Sequence, residues 1–366
     1  MYAKSSVGVC RSVMRRCFSI HAKPSPSISE SQRIIEKENK YGAFNYHPLP
    51  VVLNKGKGPY VWDTDGVRYY DFLSAYSAVN QGHCHPKIVK ALVDQAQNLC
   101  LTSRAFYNDA LGEYEEYVTT LLGFDRILPM NTGVEACESA CKLARKWSYQ
   151  KKGVPENKAK IYFAENNFWG RSIAAISSST DPLAYKEFGP FLPGFETIPY
   201  NDLKAVERYL RKLLIIKKTK ACKDPCTAAF MVEPIQGEAG VVVPDKGYLK
   251  GVREICTREN VLWIADEVQT GLARTGKRLC VDHENVKPDI LVLGKALSGG
   301  MYPVSAVLSS DEVMLCLQPG THGSTYGGNP LACKFNSCSG GNGGRELRKC
   351  SKWEILEKTS EIPKNF

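Results

Sequence analysis

Aromatic and polar residues alternate over positions 60–70 (YVWDTDGVRYY) around Asp65-Gly66, which predicts a β-hairpin: period-two alternation suits a half-buried strand, and Asp-Gly suits a tight turn. Downstream the period changes. Apolar residues spaced by three and four predict helices over 86–100 and 111–122. Beyond these, short unbroken apolar runs at 161–164, 228–233, 261–266, 290–293 and 304–308 read as buried strands, with amphipathic stretches such as 203–210 and 248–259 between several of them. Alternation of this kind predicts an α/β fold around a mostly parallel sheet, whose ligands bind at the carboxyl ends of strands.

The chemistry-bearing residues sit at those ends. The run 261–265 leads straight into Asp266-Glu267, so a buried strand terminates in carboxylates. The run 290–293 leads into Gly294-Lys295-Ala296 and then Ser298-Gly299-Gly300. A lysine placed where an apolar strand meets a Gly-rich loop is partly desolvated, which lowers an amine toward the range where it is nucleophilic. Together the two features point to a Schiff-base lysine and a carboxylate that holds a pyridinium nitrogen. Residues 131–136 (NTGVEA) precede a helical pattern at 137–147; small residues opening a helix leave N–H groups free for a phosphate, and an ordinary N-cap is the plainer alternative for this motif alone. Phe168-Trp169 offer flat faces for stacking on an aromatic ring, with core packing as the alternative for either.

Composition adds limits. The chain has 366 residues, 43% hydrophobic and 23% charged, enough to build a large buried core. Its net charge of +10 is localised. Positions 1–29 carry five basic residues and no acid, positions 211–223 carry six and no acid, and the tail 334–366 has a net of +3, leaving the remaining body near −4. A nucleic-acid surface on that body is therefore not expected. The Ser- and Arg-rich, acid-free start reads as a mitochondrial transit peptide, since arginines interrupt every candidate secretory core, and a disordered tail is the alternative. No apolar run reaches bilayer-spanning length, so no membrane partner is expected. The 14 cysteines contain no CxxC pair and suit a reducing compartment; His83-Cys84-His85 is poorly arranged to share one ion, so no metal is expected.

From about residue 40 to 333 the chain closely resembles the ornithine aminotransferase family, of the class III, fold type I pyridoxal-phosphate enzymes. The matching stretches include KYGAFNYHPLPVVL, SAYSAVNQGHCHPKIV, LTSRAFYN, LPMNTGVEA, NFWGR, MVEPIQGEAGVVVPD, ADEVQTGLARTG, LGKALSGG and HGSTYGGNPLAC. The resemblance implies that Lys295 bonds to pyridoxal 5'-phosphate and moves a proton as general acid and base, and that Asp266 pairs with the ring nitrogen. It implies that Gln269 contacts the ring hydroxyl, that Phe168 stacks on the ring, and that Gly133 and Val134 supply phosphate-binding amides. Ser324 and Thr325 are expected at the same phosphate from a second subunit, which makes a homodimer the minimal unit. Tyr46 and Arg171 are expected on the α-carboxylate of ornithine, with Tyr76 lining that pocket. The implied reaction moves the δ-amino group of ornithine to 2-oxoglutarate in the mitochondrial matrix, giving glutamate semialdehyde, which cyclises to pyrroline-5-carboxylate, and glutamate.

Departures from the family pattern define the expected organisation. Residues 1–29 form the transit peptide, 30–80 an N-terminal segment and 81–333 the large cofactor-binding domain, interrupted by a basic insertion at 211–224. After Cys333 the expected helix and C-terminal small domain give way to a Gly-rich tail, 334–366, so that domain is expected to be largely absent. In the family Glu238 pairs with an arginine of that domain, and the tail holds no match, so impairment with 2-oxoglutarate is expected. Two other readings stand beside the leading one: another class III ω-aminotransferase, acting on acetylornithine or 4-aminobutyrate, against which Tyr46, Tyr76 and Glu238 argue, and a non-catalytic product.

Overall fold

The computed structural model describes residues 28–210, 213–214, 222–223 and 226–337. Two units are distinguished: one comprises the chain up to Lys55 together with Trp62–Arg68, the other Gly56–Val61 together with Tyr69 onward. In the first, helix α1 (Glu30–Tyr41) starts where the Ser29 hydroxyl accepts the N–H of Gln32 at 3.1 Å. It is a polar helix with no buried residue, followed by the exposed apolar side chains Phe44, Tyr46 and Leu49. The alternation at 60–70 forms strands Tyr60–Asp63 and Arg68–Tyr70, with Gly66 at φ +83° in the turn between them.

The second unit is built on seven strands: β1 (Arg126–Met130), β2 (Lys160–Ala164), β3 (Phe195–Ile198), β4 (Thr227–Val232), β5 (Leu262–Asp266), β6 (Ile290–Leu293) and β7 (Ser305–Ser309). Their spatial order is β1-β7-β6-β5-β4-β2-β3. All neighbours pair in parallel except those of β7, which runs antiparallel to β6 and β1. The five apolar runs of the sequence are the interior strands. The two unpredicted ones, β1 and β3, are the edges, where burial is incomplete and the sequences (RILPM, FETI) hold Pro129 and Glu196. An edge strand tolerates a residue without an N–H and an alternating polar position, so neither presents the continuous apolar run of a buried strand.

Alternate side chains of the strands enter two cores. On one face Ile161, Phe163, Met231, Ile264, Val292 and Val307 pack with Ala136, Cys137, Ala140, Cys141, Leu143, Ala144 and Trp147 of α4 (Gly133–Gln150), whose three- and four-residue spacing makes one apolar stripe. On the other face Tyr162, Phe230, Trp263 and Leu291 meet α2 (Pro86–Ala96), α3 (Leu111–Leu122), α5 (Leu203–Leu210) and α6 (Tyr248–Glu259) through Ile88, Val118, Val206 and Val252. Each large side chain so buried contributes roughly 1.5–3 kcal/mol.

Several expected features meet the limits of the described residues. The presequence lies outside them apart from residues 28 and 29. Of the basic insertion only Leu213–Leu214 and Cys222–Lys223 are described, paired antiparallel. Helix α7 (Pro330–Ser337) continues past Cys333, and the tail from 338 on lies outside. No described helix is long and apolar enough to cross a membrane.

Candidate active site

The parallel strands β4, β5 and β6 end side by side, and each delivers a functional group. Asp266 is the last residue of β5, Glu233 follows β4 by one, and Lys295 follows β6 by two. All three line a pocket of about 230 Å³. Asp266 is 5% exposed; its Oδ1 accepts the N–H of Val268 at 3.0 Å, and its Oδ2 faces the Cys137 thiol at 3.5 Å. Burial raises its carboxyl above the usual range, opposed by the Val268 N–H and by Lys295. Burial likewise lowers the Lys295 ammonium, opposed by the negative charges of Asp266 and Glu238. Lys295 has φ +40°, a left-handed conformation that a non-glycine residue holds only when its surroundings impose it.

Helix α4 also begins at this pocket. Its first turn is closed by a capping box: the Thr132 hydroxyl accepts the N–H of Glu135 at 3.3 Å, and Glu135 Oε2 accepts that of Thr132 at 2.6 Å. The N–H groups of Gly133 and Val134, the first two helical residues, have no partner within the helical ladder, and both residues line the pocket. A Cβ on Gly133 would lie 3.0 Å from Val268 Cγ1, and one on Gly294 would lie 3.1 Å from that same atom. The two glycines thus let the helix end and the Lys295 loop pack closely against Val268.

The walls are Phe168, Trp169 and Gly170 on one loop, Ile235 and Glu238 on the loop after β4, and Val268 and Gln269 on the loop after β5. Glu233 ties two of these loops together, accepting the N–H of Phe168 at 3.0 Å and, more weakly, that of Gly237 at 3.4 Å. Its carboxyl is pushed up to about 8, by burial first and then by the charge of Asp266. The guanidinium of Arg171 lies 5.5 Å from the Phe168 ring centroid. An anion-accepting helix end, a flat aromatic wall, a buried carboxylate and a desolvated amine on one pocket fit a phosphorylated pyridine aldehyde group by group.

Of the residues expected from sequence, Gly133, Val134, Phe168, Asp266, Gln269, Lys295 and Glu238 line this pocket, and Arg171 is packed on Phe168. Tyr76, 55% exposed, lies in a left-handed turn, Ser74–Ser77, and is not among the lining residues; Tyr46, 76% exposed, belongs to the first unit. Ser324 and Thr325 also do not line the pocket; Ser324 Oγ accepts from Asn131 Nδ2 at 3.0 Å. Trp169, the alternative stacking ring, is buried in the core against Phe163. The sequence reading missed Glu233 and Cys137. Glu233 carried the same signal as Asp266, an acid ending an apolar run, whereas Cys137 carried none. His83 pairs with Asp71 at 2.7 Å, and no group of three or more His, Cys, Asp and Glu suited to a metal occurs among the described residues.

The family model described as Aminotransferase class-III matches residues 41–338. The mitochondrial ornithine aminotransferase of Drosophila melanogaster is 68% identical over 306 residues, covering 84% of this chain and 68% of its own length. That of Rattus norvegicus is 66% identical over 305 residues, covering 83% and 67%. The crystal structure of ornithine aminotransferase from Toxoplasma gondii superposes with a TM-score of 0.83 at 48% identity, covering 91% of this chain and 74% of that one.

Proposed function

The chain belongs to the class-III aminotransferase family, and from that premise we propose that it transfers the δ-amino group of L-ornithine to 2-oxoglutarate, with pyridoxal phosphate as cofactor. The observation that carries the reading is the convergence of Lys295, Asp266 and the helix end at Gly133 on one pocket. When bound, pyridoxal phosphate supplies an electron sink for the pair released as a C–H bond breaks. Asp266 would hold a proton at the ring nitrogen, Phe168 would lie against the ring and Gln269 would meet its hydroxyl. Gly133 and Val134 would take the phosphate on their amides, where the helix dipole favours an anion. Lys295, with its ammonium lowered by burial, is suited to lose and regain a proton at Nζ during turnover.

Arg171 is assigned to the α-carboxylate of ornithine, with Tyr76 and Glu238, a pocket-lining residue, as further substrate-binding groups. Holding the substrate by that end would present its distal amine to the cofactor. The product, glutamate semialdehyde, cyclises to pyrroline-5-carboxylate, a precursor of proline. Ser324 and Thr325 are assigned to the phosphate site of a second copy, which makes a homodimer the working unit. The acid-free residues 1–29 and the mitochondrial names of the Drosophila and rat relatives support the matrix as its location.

The test is a coupled assay of recombinant chain with pyridoxal phosphate, L-ornithine and 2-oxoglutarate, trapping pyrroline-5-carboxylate and measuring glutamate in equal amounts. Faster turnover of N-acetylornithine or 4-aminobutyrate than of ornithine would overturn the substrate assignment.

A further inference from the structure

The two oxygens of Asp266 are unequally served. Oδ1 accepts a backbone N–H, from Val268 at 3.0 Å, whereas Oδ2 faces the thiol of Cys137 at 3.5 Å. Cys137 is fully buried and lines the pocket. It stands on α4 four residues after Gly133, about 6 Å further along the helix axis. One helix face therefore offers amides to the anion end of the pocket and, one turn later, a thiol to the carboxylate. Burial first, and then the charge of Asp266, keep that thiol protonated, so it acts as a donor. A thiol is a weak donor, and a hydroxyl in its place would hold a carboxylate more strongly and leave it less able to retain a proton on a partner.

We propose that Cys137 is a positioning residue that aims Asp266 at the ring nitrogen of the cofactor while leaving the carboxylate basic enough to keep that nitrogen protonated. The inference rests on the assignment of this pocket to pyridoxal phosphate.

The experiment loads the apo chain with pyridoxal phosphate carrying ¹⁵N in the ring, follows the ring-nitrogen chemical shift against pH, and measures cofactor affinity on the same samples. Cys137→Ser is expected to lower the pH at which the ring nitrogen gives up its proton by about one unit, tenfold in the protonation equilibrium. Cys137→Ala, which removes the donor, is expected to leave that pH at or above the parent value. Any other pattern overturns the proposal, and a role in packing alone would move both variants the same way or neither. A parent chain that binds no pyridoxal phosphate would overturn the reading of the pocket itself, a distinct result. If Cys137→Ser does not fold, Cys137→Thr carries the same hydroxyl and the same expectation.

Discussion

The backbone N–H of Phe168 donates to Glu233 Oε1 at 3.0 Å, so the aromatic wall of the pocket is fastened to the end of the interior strand β4 by a single carboxyl group. That carboxyl is 8% exposed and stands beside Asp266, and both circumstances favour its neutral form.

Stability should carry the signature of this group. In the folded chain Glu233 keeps its proton up to about 8, against an ordinary value of 4.5. Between these values the folded state binds a proton that the unfolded state has lost, so this group's contribution makes stability fall as pH rises through the window. Glu233→Gln has no proton to release and should flatten the decline by a few kcal/mol at most. Denaturant unfolding of both chains at about pH 5 and about pH 8.5 checks this; parallel dependences would mean that Glu233 ionises as an ordinary carboxyl.

A second prediction concerns how the Phe168 loop approaches the anion site. Gly170 has φ +144°, and a Cβ there would lie 2.4 Å from Val134 Cγ2. Val134 is the second residue of α4 and β-branched, so it cannot swing aside without moving the helix end. Gly170→Ala should lower stability by about 1–3 kcal/mol and weaken pyridoxal phosphate binding about tenfold or more. Titration of the apo variant with the cofactor reads the second effect, and unchanged affinity in a destabilised variant would confine Gly170 to packing.

How far the sequence reaches can be seen at particular residues. Asp266 and Lys295 were legible because burial of a strand is written in its apolar run, and a polar residue at the end of such a run has to be accounted for. Edge strands β1 and β3 were not, because an edge needs no such run. The left-handed turn at Ser74–Ser77 holds no glycine, and the positive φ of Tyr76, +57°, leaves no trace in local composition. Cys137 was hidden for a different reason: its contact with Asp266 joins residues 129 positions apart, which no local spacing encodes.

Lys295 should be indispensable in a way that charge alone does not explain. Lys295→Arg keeps a cation in a site facing Asp266 and Glu233 but places no amine there that loses its proton readily. Single-turnover conversion of ornithine should fall by about 10²–10⁴-fold or more. In Lys295→Ala, an added small primary amine should restore part of the rate. A Lys295→Arg chain with the parent's single-turnover rate would remove Lys295 from the proton transfer.

The adjacent acids Asp266 and Glu267 should behave oppositely, because neighbouring residues at a strand end point to opposite faces. Asp266 faces α4 and the pocket. Glu267 is 1% exposed and turned away from it, accepting from the N–H groups of Cys280 and Val281 at 2.7 and 2.9 Å and from the Thr270 hydroxyl at 3.0 Å. Those bonds hold the carboxyl against a burial that still pushes it up to about 7. Glu267→Gln puts an amide donor against one or more of these donors and should lower stability by about 1–3 kcal/mol, with little change in cofactor affinity once folded. Asp266→Asn keeps an acceptor for the Val268 N–H and relieves the burial of a charge, so its stability should change little. Its single-turnover rate with ornithine should nevertheless fall by about 10²–10³-fold, since an amide cannot keep a ring nitrogen protonated. Chemical denaturation and single-turnover kinetics on the two variants separate the effects, and equal losses of rate in both would mean that the pocket does not distinguish the two acids.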